Sequence, residues 1–259
     1  MKALVLSAGM GERLRPLTLR TPKPLLPIAE RPLIHYPLLM LKAAGITEVA
    51  VNVHHLGAQI EAALGDGRGL GLSITYFREA SLTGTGGPLL AVRDYLEGAP
   101  FVILNGDTII DLSLSELQRF HVERGALATL ALRPSAAAAY SRIETDAAGR
   151  IHRMRLLEGR APVTFRDYPR TLSGVLAASL HSDMYCGVML CESAVLSMLP
   201  PAAPFSLIAD VFAPALPEIN LAGYAHRGFF RTVDDLAGYE ALAAEYRDAE
   251  LPLPYLAKN

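Results

Sequence analysis

The sequence predicts an α/β protein built on a doubly wound, mostly parallel central sheet with helices on both faces. Two observations carry that expectation. Apolar runs of strand length alternate with helical patterns through the first half of the chain, and a glycine-rich turn follows the first of those runs directly. With 259 residues, 51% of them hydrophobic, the chain can bury one large core.

Taken in order, Leu4, Val5 and Leu6 read as a buried strand, with Gly9 and Gly11 in the turn behind it. Residues 30–45 predict a helix with Pro32 near its start, a kink at Pro37 and Gly45 as its stop. Residues 48–53 read as a strand, 57–64 as a helix and 72–77 as a strand. Pro88 opens an expected helix over 88–96, and residues 101–105 form a buried strand. Ser113 and Glu116 have capping-box spacing ahead of a helix ending at Arg124. Residues 127–133, 141–146 and 150–156 read as strands, with a turn over 146–149. The stretch 157–182, rich in Pro, Arg, Ser and Gly, is expected to be a long loop that covers a ligand. A strand over 184–190 and helical patterns over 192–199 and 206–216 complete the reading. With no linker and no internal repeat, a single domain over 1–259 is expected.

Charge and composition exclude several classes. The formal net charge of −2 lacks the basic excess of a nucleic-acid binder. No uncharged apolar run reaches the roughly 18 residues of a membrane span. Cys186 and Cys191 have neither metal-ligand nor CxxC spacing, so buried free thiols in a reducing cytoplasm are expected. A homodimer is left open.

The chemistry concentrates in residues 4–28, LVLSAGMGERLRPLTLRTPKPLLPI. Gly9 and Gly11 let successive N–H groups face an anion, and Arg13, Arg15 and Lys23 add charge beside them. Lys23 is one of only four lysines, and Pro22 and Pro24 stiffen the chain on either side of it. Asn105-Gly106-Asp107 ends a strand at the edge where open α/β sheets bind ligands, and Asp107 offers the hard oxygen that Mg²⁺ prefers. In EASLTGTGGPL, residues 79–89, Gly84, Gly86 and Gly87 leave backbone bare for a base and ribose, and Thr85 contributes a hydroxyl.

These strings together resemble the signature of the sugar-1-phosphate nucleotidyltransferases, L-A-A-G-x-G-x-R-L-x-P-L-T followed by P-K-P-L, with Ser7 where the family commonly has Ala. The wording is nearest to single-domain members of the mannose-1-phosphate guanylyltransferase and MurNAc-1-phosphate uridylyltransferase kinds. The resemblance implies a Rossmann-like nucleotidyltransferase fold, with a nucleotide-binding half over 1–125, a sugar-binding half over 126–259 and no C-terminal β-helix. It implies Mg²⁺-dependent transfer of a nucleotidyl group from a nucleoside triphosphate to a sugar-1-phosphate, releasing pyrophosphate.

By the same resemblance Arg13, Lys23 and Asp107 are catalytic, and Leu6, Ala8, Gly9, Gly11, Glu79, Gly84 and Thr85 bind the nucleotide. Asn105, Glu158, Arg160 and Gly187 bind the sugar, and Asp107 and Asp234 hold the metal. Glu79 mildly favours guanine, because a carboxylate accepts two hydrogen bonds from the guanine edge and one from uracil or thymine; UTP and dTTP stay open. Two departures stand out. The usual Glu-Lys-Pro is Glu158-Gly159-Arg160 here, so Arg160, Arg153 or Arg155 has to replace the lysine. Thr232 occupies the place of the second metal Asp, which leaves Asp234 or Asp235 to rebuild the site, or both to cap the helix that follows. That substitution frames the alternative, a catalytically weak or silent nucleotide-sugar sensor or partner subunit. Transfer to a non-sugar acceptor is a third reading.

Overall fold

Strand β1 (Lys2–Leu6) runs through the middle of the molecule and has no exposed face: Ala3 and Val5 pack into one core and Leu4 into another. A short hairpin of β2 (Pro27–Ile28) and β3 (Arg31–Pro32) precedes helix α1 (His35–Ala43). The chain continues through β4 (Glu48–Val53), α2 (Gly57–Leu64), β5 (Ser73–Arg78), α3 (Pro88–Ala91), α4 (Arg93–Leu96) and β6 (Phe101–Asn105). After β7 (Thr108–Ile110) and α5 (Leu114–Arg124) come β8 (Ala128–Arg133), β9 (Arg142–Thr145), β10 (Ile151–Arg160), β11 (Val163–Tyr168) and β12 (His181–Cys191). Strands β13 (Leu221–Ala225) and β14 (Phe230–Thr232) and a helix over Leu236–Glu245 close the fold. The computed structural model describes residues 1–135, 140–160, 163–169 and 179–256, with Gly159 and Arg160 as backbone only.

The central sheet has the order β13-β8-β12-β6-β1-β4-β5 and is mostly parallel, as expected. Parallel pairs join β1 to β4 and β6, β4 to β5, and β13 to β8, while β12 runs against β6 and β8. An antiparallel extension, β11-β10-β9, attaches to the first residues of β12. Strand β12 serves both parts because it breaks register between Tyr185 and Met189. Gly187 sits in that break with φ +78, a conformation that glycine adopts without strain. Parallel pairing aligns the carboxyl ends of β1, β4 and β6, so Ser7, His54 and Gly106 leave the sheet along one edge.

Several expectations need correction. The helix expected over 30–45 starts only at His35, because Ala29 and Glu30 take left-handed φ values of 46° and 63° to form the β2–β3 hairpin. Pro37 therefore falls in the first turn of α1, where its missing N–H leaves no bond unmade, so no kink arises. The helix over 88–96 is two single turns, interrupted at Val92 with φ −102 and ψ 11. The long loop over 157–182 is largely strand: β10 runs on to Arg160 and returns as β11, and residues 170–178 lie outside the described residues. The helical patterns near 192 and 206 take the form of 3₁₀ turns over Ser193–Met198 and of a wide π-type turn over Leu207–Phe212 that runs into an α-helical turn over Ala213–Ala215. Ser113 caps α5 as its spacing implies, accepting from Glu116 N at 3.3 Å.

Two outcomes follow from this packing. A Cβ at residue 187 would lie 2.5 Å from Thr108 Oγ1, so Gly187→Ala is expected to lower unfolding free energy by about 1–3 kcal/mol in urea titrations. Both thiols are free and buried; burial pushes Cys186 up to about 12 and Cys191 higher still. Neither should be alkylated by iodoacetamide at pH 8 in the native protein, and both should react once it is denatured.

Candidate active site

The turn after β1 is held from behind by side chains, which leaves its front free. Ser7 N–H donates to Asn52 Oδ1 at 2.7 Å, and Asn52, itself 2% exposed, donates from Nδ2 to Glu79 Oε1 at 2.5 Å. Glu79 Oε2 then accepts from Thr83 N–H at 3.0 Å and Thr83 Oγ1 at 2.7 Å. One chain of hydrogen bonds thus ties the end of β1 to the glycine loop over residues 79–87. The two histidines behind β4 reinforce it. His54 Nδ1 bonds the Glu79 carbonyl at 2.8 Å, and His55 Nε2 bonds the Thr18 carbonyl at 2.7 Å, while Thr18 Oγ1 donates to the Gly11 carbonyl at 2.8 Å. Both histidines thus act as braces.

In front of the braces lies a cavity of about 730 Å³, lined by Leu6, Ala8, Gly9, Gly11, Glu79, Gly84, Thr85 and Asn105, and by the charged residues Glu12, Arg13, Lys23, Asp107 and Asp234. A Cβ at Gly9 would meet nothing within 4 Å, and Gly11 has φ +62, so the turn is open at one glycine and left-handed at the other. Lys23 opens a 3₁₀ turn over Lys23–Leu25, and its half-buried ammonium pairs with Asp107. The Gly106 N–H donates to the Leu6 carbonyl at 2.9 Å and sets Asp107 beside the turn. The Ser7 hydroxyl, 3% exposed on the cavity wall, has no hydrogen-bond partner among the described residues.

Across the cavity, Asp234 Oδ1 lies 3.7 Å from Arg13 Nη2, and Asp234 Oδ2 accepts from the Tyr140 hydroxyl at 2.5 Å. Asp235 instead caps the helix over Leu236–Glu245, accepting from Gly238 N–H at 2.8 Å. Asp235 thus takes the capping role, and Asp234 is the one of the two that lines the cavity. Thr232 is on β14 paired with Thr108 and is not on the cavity wall.

Other candidates fall elsewhere. Glu158 pairs with Arg166 across the β10–β11 hairpin and is off this cavity wall. Arg153 is held by the buried Glu144 at 2.5 Å and Arg155 by Asp167 at 3.1 Å, so neither replaces the missing lysine. The Arg160 side chain lies outside the described residues. Arg15 pairs with Glu12 at 3.2 Å and is off the cavity wall. Gly187 sits behind Asn105, where a Cβ would come within 2.8 Å of Asn105 Nδ2. The glycines of residues 84–87 also serve a purpose the sequence did not disclose. A Cβ at Gly84 would lie 2.4 Å from the Phe205 carbonyl oxygen, and one at Gly86 would lie 2.3 Å from the Phe205 ring. They allow close packing against residue 205 as much as they bare the backbone for a ligand.

A glycine turn, two cations and several carboxylates, gathered beyond the carboxyl ends of parallel strands, make an arrangement suited to a phosphorylated ligand and its counter-ion. The chain belongs to the nucleotidyl transferase family, whose model matches residues 2–155. It is 30% identical over 248 residues to a UTP–glucose-1-phosphate uridylyltransferase of Synechocystis, covering 90% of this chain and 60% of that protein. Over 116 residues it is 48% identical to an N-acetylmuramate α-1-phosphate uridylyltransferase of Neisseria meningitidis, covering 44% of this chain and 50% of that protein. The chain thus spans less than two thirds of either relative. A Bacillus anthracis protein assigned as a glucose-1-phosphate thymidylyltransferase and crystallised with sucrose shares the fold, with a TM-score of 0.77 at 20% identity over the whole of both chains. Among the described residues no helix is long and apolar enough to cross a membrane.

Asn52 joins β1 to the glycine loop, and replacing it isolates a buried donor. Asn52→Leu should cost about 1–3 kcal/mol in chemical denaturation, because the Ser7 N–H is left unpaired, and should weaken nucleotide binding in calorimetry.

Proposed function

We propose that this chain transfers a nucleotidyl group from a nucleoside triphosphate to a sugar-1-phosphate. The observation that carries the reading is one cavity that holds the Gly9–Gly11 turn, Arg13 and Lys23 together with the carboxylates of Asp107 and Asp234. A non-bridging oxygen of the sugar phosphate attacks the α-phosphorus, the bond from that phosphorus to the β-phosphate bridging oxygen breaks, and pyrophosphate leaves. Both reactants are anions, so catalysis rests on positioning and charge neutralisation. The turn amides and Arg13 hold the β- and γ-phosphates. Lys23, aimed by its flanking prolines and by Asp107, meets the oxygens around the α-phosphorus. With Arg153 and Arg155 engaged elsewhere, Lys23 is also the cation best placed for the sugar phosphate.

The donor set suits Mg²⁺, which takes one or two carboxylates and completes its shell with phosphate oxygens and water. Asp107 and Asp234 line the same cavity, and no cluster of three or more His, Cys, Asp or Glu among the described residues would hold an ion alone. When bound, the ion neutralises phosphate charge and fixes phosphate geometry. Asp234, held by Tyr140, supplies the second acid that Thr232 lacks, which favours transfer over the silent-sensor reading. Residues 1–125 supply the nucleotide side and 126–259 most of the sugar side, in one domain. Buried reduced thiols suit the cytoplasm.

The mild guanine preference read from Glu79 is revised. Its Oε2 already accepts two hydrogen bonds and its Oε1 one, so a single acceptor position is left. One acceptor matches the lone N3–H of uracil or thymine and cannot receive both donors of guanine. A pyrimidine triphosphate is therefore the proposed donor.

Pyrophosphate release with Mg²⁺, each of GTP, UTP and dTTP, and a panel of sugar-1-phosphates tests this directly. Turnover is expected with UTP or dTTP, and Lys23→Ala or Asp107→Asn should cut kcat by about 10²-fold or more. No pyrophosphate from any pairing overturns the reading. Asp234→Asn should raise the Mg²⁺ concentration for half-maximal rate by about tenfold or more, and Tyr140→Phe by a smaller factor. By contrast Asp235→Ala should leave the Mg²⁺ dependence unchanged and cost about 1 kcal/mol of stability from the lost helix cap.

A further inference from the structure

A second cavity of about 320 Å³ opens from the first, sharing Leu6, Thr85 and Asn105 with it. It is walled by Ile143, Leu156, Leu157, Met189, Leu207 and Ile208, and no charged side chain lines it. A hexose presents hydroxyls around its whole ring, and burying a hydroxyl against aliphatic walls without a partner is unfavourable. The walls therefore suit an acceptor that carries an apolar group.

The few polar groups present narrow that class further. Ser141 Oγ is already engaged, accepting from Leu157 N–H at 2.9 Å, and Ser206 Oγ accepts from Ala209 N–H at 3.2 Å and from Thr85 Oγ1 at 3.4 Å. The Asn105 carboxamide and the Tyr185 hydroxyl line the cavity and have no side-chain hydrogen bond to any described residue. They are neutral, and between them they can donate and accept. A neutral donor–acceptor pair beside aliphatic walls matches an amide whose methyl faces the walls. It offers nothing to balance an ammonium or an additional carboxylate.

We propose that the second cavity selects an N-acylated amino sugar, so that the acceptor is an acetamido-hexose 1-phosphate in preference to the unsubstituted hexose 1-phosphate. This rests on the transfer reading above for the direction of the ligand, with the phosphate at Lys23 and the ring toward Leu156. Tyr185 and Asn105 are then specificity residues that hydrogen-bond the amide, and Leu156 and Ile208 receive its methyl. Discrimination by a methyl-sized group in an apolar pocket is worth about 10–200-fold.

The test compares nucleotide sugars that differ only in that group. Calorimetry on the intact chain with UDP-N-acetylglucosamine and UDP-glucose should give a dissociation constant at least about tenfold lower for the acetamido sugar. Leu156→Thr and Tyr185→Phe should each shrink that ratio by about threefold or more. If either variant fails to fold, the parent ratio still decides. Equal affinities, tighter binding of UDP-glucose, or binding of neither sugar overturns the inference. Turnover is read separately: a retained affinity ratio without pyrophosphate release from any acceptor would overturn the transfer reading and leave the acetamido preference standing.

Discussion

The buried Asn52 carboxamide is the joint on which the site depends. Its oxygen fixes the first amide of the phosphate turn, and its nitrogen fixes the carboxylate that organises the loop over residues 79–87. The first bond is buried and the second partly so, and a buried polar group left unmet costs more than a met one gains. The turn is consequently held with its first amide already oriented. His54 and His55 extend the same principle outward by fixing backbone carbonyls of the flanking segments.

Electrostatic economy explains which cations reach the cleft. The cations that line it are Arg13 and Lys23, and both face carboxylates there, Asp234 and Asp107. The arginines of β10 point into the antiparallel extension instead, where Arg153 neutralises the buried Glu144. A buried carboxylate without its partner is far costlier than an exposed pair broken in water, so Arg153 is committed to structure.

Much of this was legible in the chain. The strands at 48–53 and 101–105, the helix at 57–64 and the capped start of α5 follow directly from apolar period and cap chemistry. The phosphate turn, Lys23, Asp107 and the candidacy of Asp234 follow from motif spacing. Tertiary pairing was not legible. Residues 157–168 look like loop because their side chains are polar, yet β11 gives an exposed hairpin whose cross-strand ion pairs, Arg155–Asp167 and Arg166–Glu158, hold it together. Glu79 reads in sequence as a free base-reading acid, because nothing local shows that Asn52 and Thr83 converge on it. The choice between Asp234 and Asp235 required the direction of the helix that Asp235 caps.

The closeness of Phe205 to Gly84 and Gly86 couples the walls of the two cavities. Gly86 N–H donates to the Phe205 carbonyl at 2.9 Å, and Phe205 N–H returns a bond to the Thr83 carbonyl at 3.1 Å. The segment that begins at Ser206 supplies one wall of the smaller cavity, so the loop on the larger cavity and the wall of the smaller one are hydrogen-bonded into one unit. Neither can be displaced without loading the two backbone bonds that join them.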